Sequence, residues 1–286
     1  MNTFLLDLLN GISFGFILFL LATGLSIIMG LMGILNMAHG ALYMLGAFIG
    51  WTLVAQCGLD FWLAALGAAL ITAVLGFGIE RGLFRRLYRQ YTEQVLLAFG
   101  LSFVLVNLGE WIWGPIPRAP FTAPAFSGSV HLGSIAYPTV RFVIALIGGF
   151  LAVGLWWLLE KTRLGALVRA GMDDKEMLAG LGVDFDRLST AVFMLGVGLA
   201  GFSGVIGAQA LGASTGLAQS IQLLAMVVIV IGGVGSVQGA LVGAMLIGAI
   251  DTIGRSRFPQ FALFTTYLAM VVILLVRPAG LLGREK

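Results

Sequence analysis

Charge is what this sequence has least of: Asp, Glu, Lys and Arg make up 10% of its 286 residues, and apolar side chains make up 59%. An ordinary soluble domain carries about 25% and about 45–50% respectively. That poverty excludes a solvated globular surface, and a net charge of +3 on sixteen Lys and Arg excludes a nucleic-acid-binding face. The one cysteine, Cys57, excludes an internal disulfide and a thiolate metal site. The pattern G-x-x-x-x-G-K-[ST] is absent, so the chain is not expected to hydrolyse ATP. No basic segment precedes the first apolar run, where Asp7 stands instead, so that run is expected to be a retained span and not a cleaved signal. Acids at bilayer depth are too few for a proton- or sodium-driven carrier or a ring of carboxylates, and His39 has no evident Ser or Asp partner for an intramembrane protease. No catalytic, cofactor-binding or metal-ligating residue is expected.

What is present is apolar sequence in long runs, over 4–29, 40–55, 62–79, 94–113, 142–159, 188–211, 221–250 and 261–276. At about 20 residues per crossing, the 221–250 run is too long for one upright helix, and Gly232, Gly233, Gly235 and Ser236 interrupt it. The expected fold is therefore an all-α polytopic membrane protein with eight or nine transmembrane helices, some short or broken. A single transmembrane domain is expected to cover 1–286.

Basic residues orient it. Arg81, Arg85, Arg86 and Arg89, then Lys161, Arg163, Arg169, Lys175 and Arg187, then Arg277, Arg284 and Lys286 belong inside by the positive-inside rule. Residues 115–141 hold five of the seven prolines, Pro115, Pro117, Pro120, Pro124 and Pro138, and should form the longest external loop, with Trp111 and Trp113 at its membrane edge. Nine crossings put the N-terminus outside and the C-terminus inside, and leave Arg255 and Arg257 outside as exceptions.

Forty-one glycines far exceed the usual share of about 7%. In a membrane, small residues let helices approach where lipid supplies no hydrophobic drive. Gly196, Ala200, Gly204 and Ala208 form one ridge at four-residue spacing, with Gly201 beside it, and Gly232, Ser236, Ala240, Ala244 and Gly248 form another. Tight packing is the first expectation for both, and a pathway-lining face the second. Glu110 and Asp251 are expected at solvated helix ends. Asn36, His39 and Gly40, between the first two runs, are either a capped turn or a break at the pathway, and Gly232, Gly233, Gly235 and Ser236 are the corresponding candidates in the later break.

Residues 161–187 are the one soluble stretch long enough to fold. Two short helices are expected, the second started by Asp173 with Glu176 three residues on. Apolar Met177, Leu178 and Leu181 among the charges ask for a partner surface, and Gly182 ends the element.

These residues resemble a known family. Leu9-Asn10-Gly11, then Gly33-Ile34-Leu35-Asn36-Met37-Ala38-His39-Gly40 and Tyr43-Met44-Leu45-Gly46-Ala47, are similar to the N-terminal signature of branched-chain amino-acid ABC transporter permeases of the short, LivH-type subunit. Arg169-Ala170, Met177, Gly182-Val183 and Arg187 resemble its cytoplasmic coupling loop. Ala200-Gly201-Phe202-Ser203-Gly204, Gly232-Gly233-Val234-Gly235-Ser236 and Arg277-Pro278 with Gly280-Leu281-Leu282-Gly283 resemble its C-terminal signatures. Ala41 and Leu224 depart from it, since relatives usually carry polar groups there.

The resemblance implies half of a bacterial inner-membrane importer, with no cofactor. Its partners would be a second homologous permease, two cytoplasmic ATPases, a periplasmic substrate-binding protein and the lipid bilayer. Coupling to the ATPases would run through Arg169, Ala170, Asp173, Met177, Leu178, Leu181 and Gly182. Branched-chain or other hydrophobic amino acids are the expected cargo. A permease for urea, short amides or another small polar solute, and an ion-coupled or facilitative carrier, stay open as alternatives.

Overall fold

The computed structural model describes residues 2–88, 90–121, 126–132 and 135–283. Arg89, Pro124, Arg284 and Lys286 lie outside the described residues. Among the described residues the regular structure is helical apart from one hairpin: α1 (Asn2–Met32), α2 (His39–Trp51) extended by a π turn (Thr52–Gln56), α3 (Phe61–Gly82), α4 (Tyr91–Trp113), β1 (Ser129–Leu132), β2 (Ile135–Pro138), α5 (Thr139–Lys161), α6 (Arg163–Asp173), α7 (Lys175–Gly180), α8 (Phe185–Leu211), α9 (Leu217–Gly232), α10 (Val237–Arg257) and α11 (Ala262–Val276). Among the described residues six helices, α1, α3, α4, α5, α8 and α10, are long and apolar enough to cross a bilayer, and α9 is a shorter apolar helix, as is Phe264–Val276 within α11.

The 221–250 run is two helices, as its glycines suggested. Gly233 at φ 99° turns the chain where a side chain would be strained, and Ser236 caps α10 by accepting from Gly239 N at 3.0 Å. Gly212 at φ 75° ends α8 in the same way.

Helices α1 and α8 are the axis, and α4 and α5 are the outer wall. In their most apolar windows 78% of α1 and 67% of α8 are buried, against 17% of α4 and 28% of α5. The axis rests on glycine. A Cβ on Gly196 of α8 would lie 2.7 Å from the Gly24 carbonyl of α1, and one on Gly76 of α3 would lie 3.0 Å from Val197. Gly46 of α2 faces Gly201, and Gly201 also faces Thr72 of α3. Ala200 is fully buried. The second ridge packs against the first half of α1, with Gly15 opposite Ala244 and Gly248 opposite Gly11. With no hydrophobic drive between helices in lipid, this contact packing is the main cohesive force available.

The hairpin pairs Ser129 with Pro138 and Leu132 with Ile135, and it covers the start of α1: Tyr137 donates its hydroxyl to Leu9 O and Ser13 donates to Arg141 O, both at 3.0 Å. Arg257 lies 3.8 Å from Asp7, and Arg255 reaches Asp251 at 2.6 Å. The two exceptional arginines thus sit at the hairpin end of the bundle, each beside an acid that offsets its charge. Asp251 is not at a solvated end: it is 2% exposed, and Arg255 compensates it.

Candidate translocation and coupling site

Two features could carry function: a pair of helices that begin inside the bilayer, and a helix pair at the basic end.

At 1.5 Å per residue, about 21 Å of helix separates Asp7 from Leu21 and about 16 Å separates Leu21 from Met32. His39 Nε2 lies 3.2 Å from Leu21 O. Residues 33–38 therefore run back along α1 without helical bonding, and α2 starts at bilayer depth. Helix α9 starts at the same depth, because Gly40 abuts the Ala218 carbonyl in a contact that leaves no room for a Cβ. The two starts are stitched together by one side chain. Gln222 Oε1 accepts from Gly40 N at 2.6 Å, and its Nε2 donates to Asn36 O at 3.3 Å. Asn36 Oδ1 accepts from Ala38 N at 3.1 Å, which closes the turn. Asn36, His39 and Gln222 are all buried. The patch is a broken helix at depth whose turn is only partly satisfied, since Asn36 Nδ2 and His39 Nδ1 have no hydrogen-bond partner among the described residues.

The other break lies elsewhere. Gly233 abuts Gly283, Leu281 N donates to Ile231 O at 2.7 Å, and Gly235 N donates to Ser26 Oγ at 2.9 Å. Gly232, Gly233, Gly235 and Ser236 form a connector at the basic end, one α9 length away from Asn36, His39 and Gly40, with the first two buried and the last two half-buried.

Beneath that connector the soluble helices dock. Gly165 of α6 sits on the Leu159 carbonyl, Met172 lies against Gly30 and Gly235, and a Cβ at Gly171 would meet Leu31 at 2.7 Å and Leu178 at 3.2 Å. Three expectations about this loop are corrected. Asp174 caps α7, accepting from Glu176 N and Met177 N at 2.9 Å, while Asp173 is the last residue of α6. Arg169 bonds Leu159 O and lies 3.5 Å from Glu160, so its charge is engaged within the chain. Leu178 is 2% exposed and belongs to the core, whereas Met177 and Leu181 are 64% and 75% exposed. A six-residue helix that buries one leucine has only its remaining face to offer. Ala170, within α6, and Gly182, just past α7, are exposed. Burial lowers the Lys175 pKa, and its ammonium sits over the Phe185 ring at 5.7 Å, tying α7 to the start of α8.

Sequence reasoning missed Glu80. It is fully buried, accepting from the Tyr88 hydroxyl and, at 2.8 Å, from Thr190 Oγ1, with the Arg85–Asp186 ion pair beside it. This knot fastens the end of α3 to the first turns of α8. In the sequence Glu80 reads as one more interfacial charge next to Arg81, and its partner Thr190 stands far along the chain.

A bundle of buried small-residue helices with half-length members inside and an amphipathic pair at its basic end is a multi-pass membrane permease. The model of the family described as "Branched-chain amino acid transport system / permease component" matches residues 7–276, and the chain belongs to that family. It is 30% identical to the high-affinity branched-chain amino acid transport system permease protein BraD of Pseudomonas aeruginosa, covering 99% of this chain and 97% of that one. It is 27% identical to LivH of Escherichia coli over 99% and 96%. It is 28% identical to LivM of Salmonella typhimurium over 92% of this chain and 67% of that one. A chain of PsaBC from Streptococcus pneumoniae matches in structure at 14% identity and TM-score 0.49, over 93% and 89%. The protein is therefore a permease component of an ABC transport system that works with partner subunits, and it does not itself hydrolyse ATP.

Proposed function

We propose that this chain, one permease domain over 1–286, imports branched-chain amino acids across a bacterial inner membrane. It pairs with a second homologous permease above two cytoplasmic ATPases and takes cargo from a periplasmic binding protein. The observation that carries the reading is the α6–α7 pair. Its buried face touches Gly30 and Leu31 at the end of α1, Gly235 in the α9–α10 connector and Phe185 at the start of α8, while Met177 and Leu181 remain exposed. A push on the exposed side reaches α1, α8 and the α9–α10 connector directly, so ATPase closure can re-aim the bundle without a coupled ion.

The test is reconstitution. The purified chain alone is expected to show no ATPase activity and no uptake. In proteoliposomes with both permeases, both ATPases and the binding protein, ATP should drive uptake of leucine, isoleucine and valine, uncompeted by urea. ATP hydrolysis by the lone chain, or uptake of urea in place of leucine, would overturn the assignment.

Orientation has its own readout. With Cys57 replaced by serine, Ser127→Cys should label from the periplasmic side and Glu176→Cys from the cytoplasmic side. Labelling of both from one side would exclude the assigned topology.

A further inference from the structure

The inner half-helices raise a question that the family assignment does not answer, namely which surface of this chain the cargo meets. Backbone outside a helix cannot face hydrocarbon, because no water is there to satisfy its N–H and C=O groups. Residues 212–216 are such backbone. Ala213 exchanges two backbone hydrogen bonds with Arg118, at 2.8 and 3.1 Å, and the Arg118 guanidinium lies over the Trp51 ring at the outer end of α2. Ala218, by contrast, touches Gly40 at the inner end of α2. Gly40 follows His39, whose ring lies against Leu21 O within α1, so the segment ends at bilayer depth.

Its surface there is polar and uncovered. Ser214 and Thr215 are half-buried, and Gly216, Gln219 and Ser220 are exposed. The Ser220 hydroxyl is satisfied within its own helix, donating to Gly216 O at 2.8 Å. Among the described residues none hydrogen-bonds the Gln219 amide. Gln219 stands three residues before Gln222 and about 60° away around α9. One glutamine is turned in, holding the two half-helices together, and its neighbour one turn away is turned out. The remaining exposed stripe of α9 is apolar, through Leu223 and Val230.

We infer that the surface of residues 214–220, continued by Leu223, lines the translocation path, and that Gln219 is the side chain that meets the passing amino acid. An amide donates and accepts, so it can pair with an α-carboxylate or an α-ammonium, while the apolar stripe suits an aliphatic side chain. A lipid-facing position would have no use for such a group. This rests on the proposed import of branched-chain amino acids.

The experiment uses the complete transporter in proteoliposomes with Cys57 replaced by serine. Gln219→Cys is compared with Leu268→Cys, an exposed apolar position on α11. A charged methanethiosulfonate reagent needs water at the thiol. The thiol of Gln219→Cys is expected to react and uptake to fall at least tenfold on modification, while the thiol of Leu268→Cys stays unmodified. Gln219→Leu should raise the KM for leucine at least fivefold in a complex that still co-purifies with its partners. A Gln219→Cys transporter that does not react, with ATP or without it, overturns the inference, as does modification that leaves uptake unchanged, or an unaltered KM in Gln219→Leu. Labelling is read by mass and needs no cargo. If Gln219→Cys labels but the parent transporter takes up no branched-chain amino acid, the cargo reading is overturned and the path is retained.

Discussion

Gly204→Leu is expected to abolish assembly of the transporter. A Cβ at that position would run into the Tyr43 carbonyl oxygen and lie 2.8 Å from Ala47 N. Both atoms are backbone, so no side chain can rotate away. Overpacking in a core that can adjust costs about 1–3 kcal/mol. Here α2 cannot retreat, because Gln222 and Leu21 hold its start and Thr52, at its other end, accepts from Trp113 Nε1 at 2.7 Å. Separating α2 from α8 would also open the Gly46–Gly201 contact. The Leu variant should be missing from the membrane fraction and fail to co-purify with a partner permease. Gly204→Ala should be recovered at reduced yield, with its melting temperature lowered. A leucine variant that accumulates and transports like the parent would mean that α8 does not pack on α2 as described.

Two leucines three residues apart should fail in opposite ways. Leu178→Asp puts a carboxylate into the pocket formed with Gly171 and the end of α1, and an uncompensated buried charge costs about 3–5 kcal/mol. Helix α7 has six residues and cannot absorb that loss, so the α6–α7 pair should come loose, which limited proteolysis of residues 161–187 would detect. Leu181→Asp changes a side chain that is 75% exposed, and the fold should be indifferent to it. If α7 contacts an ATPase, Leu181→Asp should leave the two permeases paired and protease-resistant while ATPase recruitment falls at least tenfold. Normal recruitment and uptake in Leu181→Asp would remove α7 from the coupling role. A protease-resistant Leu178→Asp would contradict the packing of α7 on α6.

These cases mark how far the residues could be read before their partners were visible. Small residues at four-residue spacing identified the packing face of α8, because a helix repeats itself every turn and lipid rewards only close approach. The ridge could not say that Gly196 meets α1 while Gly204 meets α2, since that depends on how three helices cross. Polar patches were legible as exceptions in an apolar chain, and Asn36 and His39 stood out for that reason. Their clamp, Gln222, looked like any polar residue at the beginning of a span.

The reading of the coupling loop went astray where alternation of apolar and charged residues was taken as a docking face. Leu178 and Leu181 are alike in chemistry, but Leu181 stands at the C-cap past the end of α7, and only the position of α6 decides that Leu178 is the one buried. Asp251 misled and Glu80 passed unnoticed for the same reason: an acid near a span end is solvated or sealed according to what lies across from it, Arg255 in one case and Tyr88 with Thr190 in the other. Composition and hydropathy runs sufficed to establish the solvent and the helical class, because a bilayer imposes those conditions on every segment independently. Depth of the half-helices, the Gln222 stitch and the outward-facing Gln219 arise from contacts between segments as much as 186 residues apart, and no local pattern in the chain encodes them.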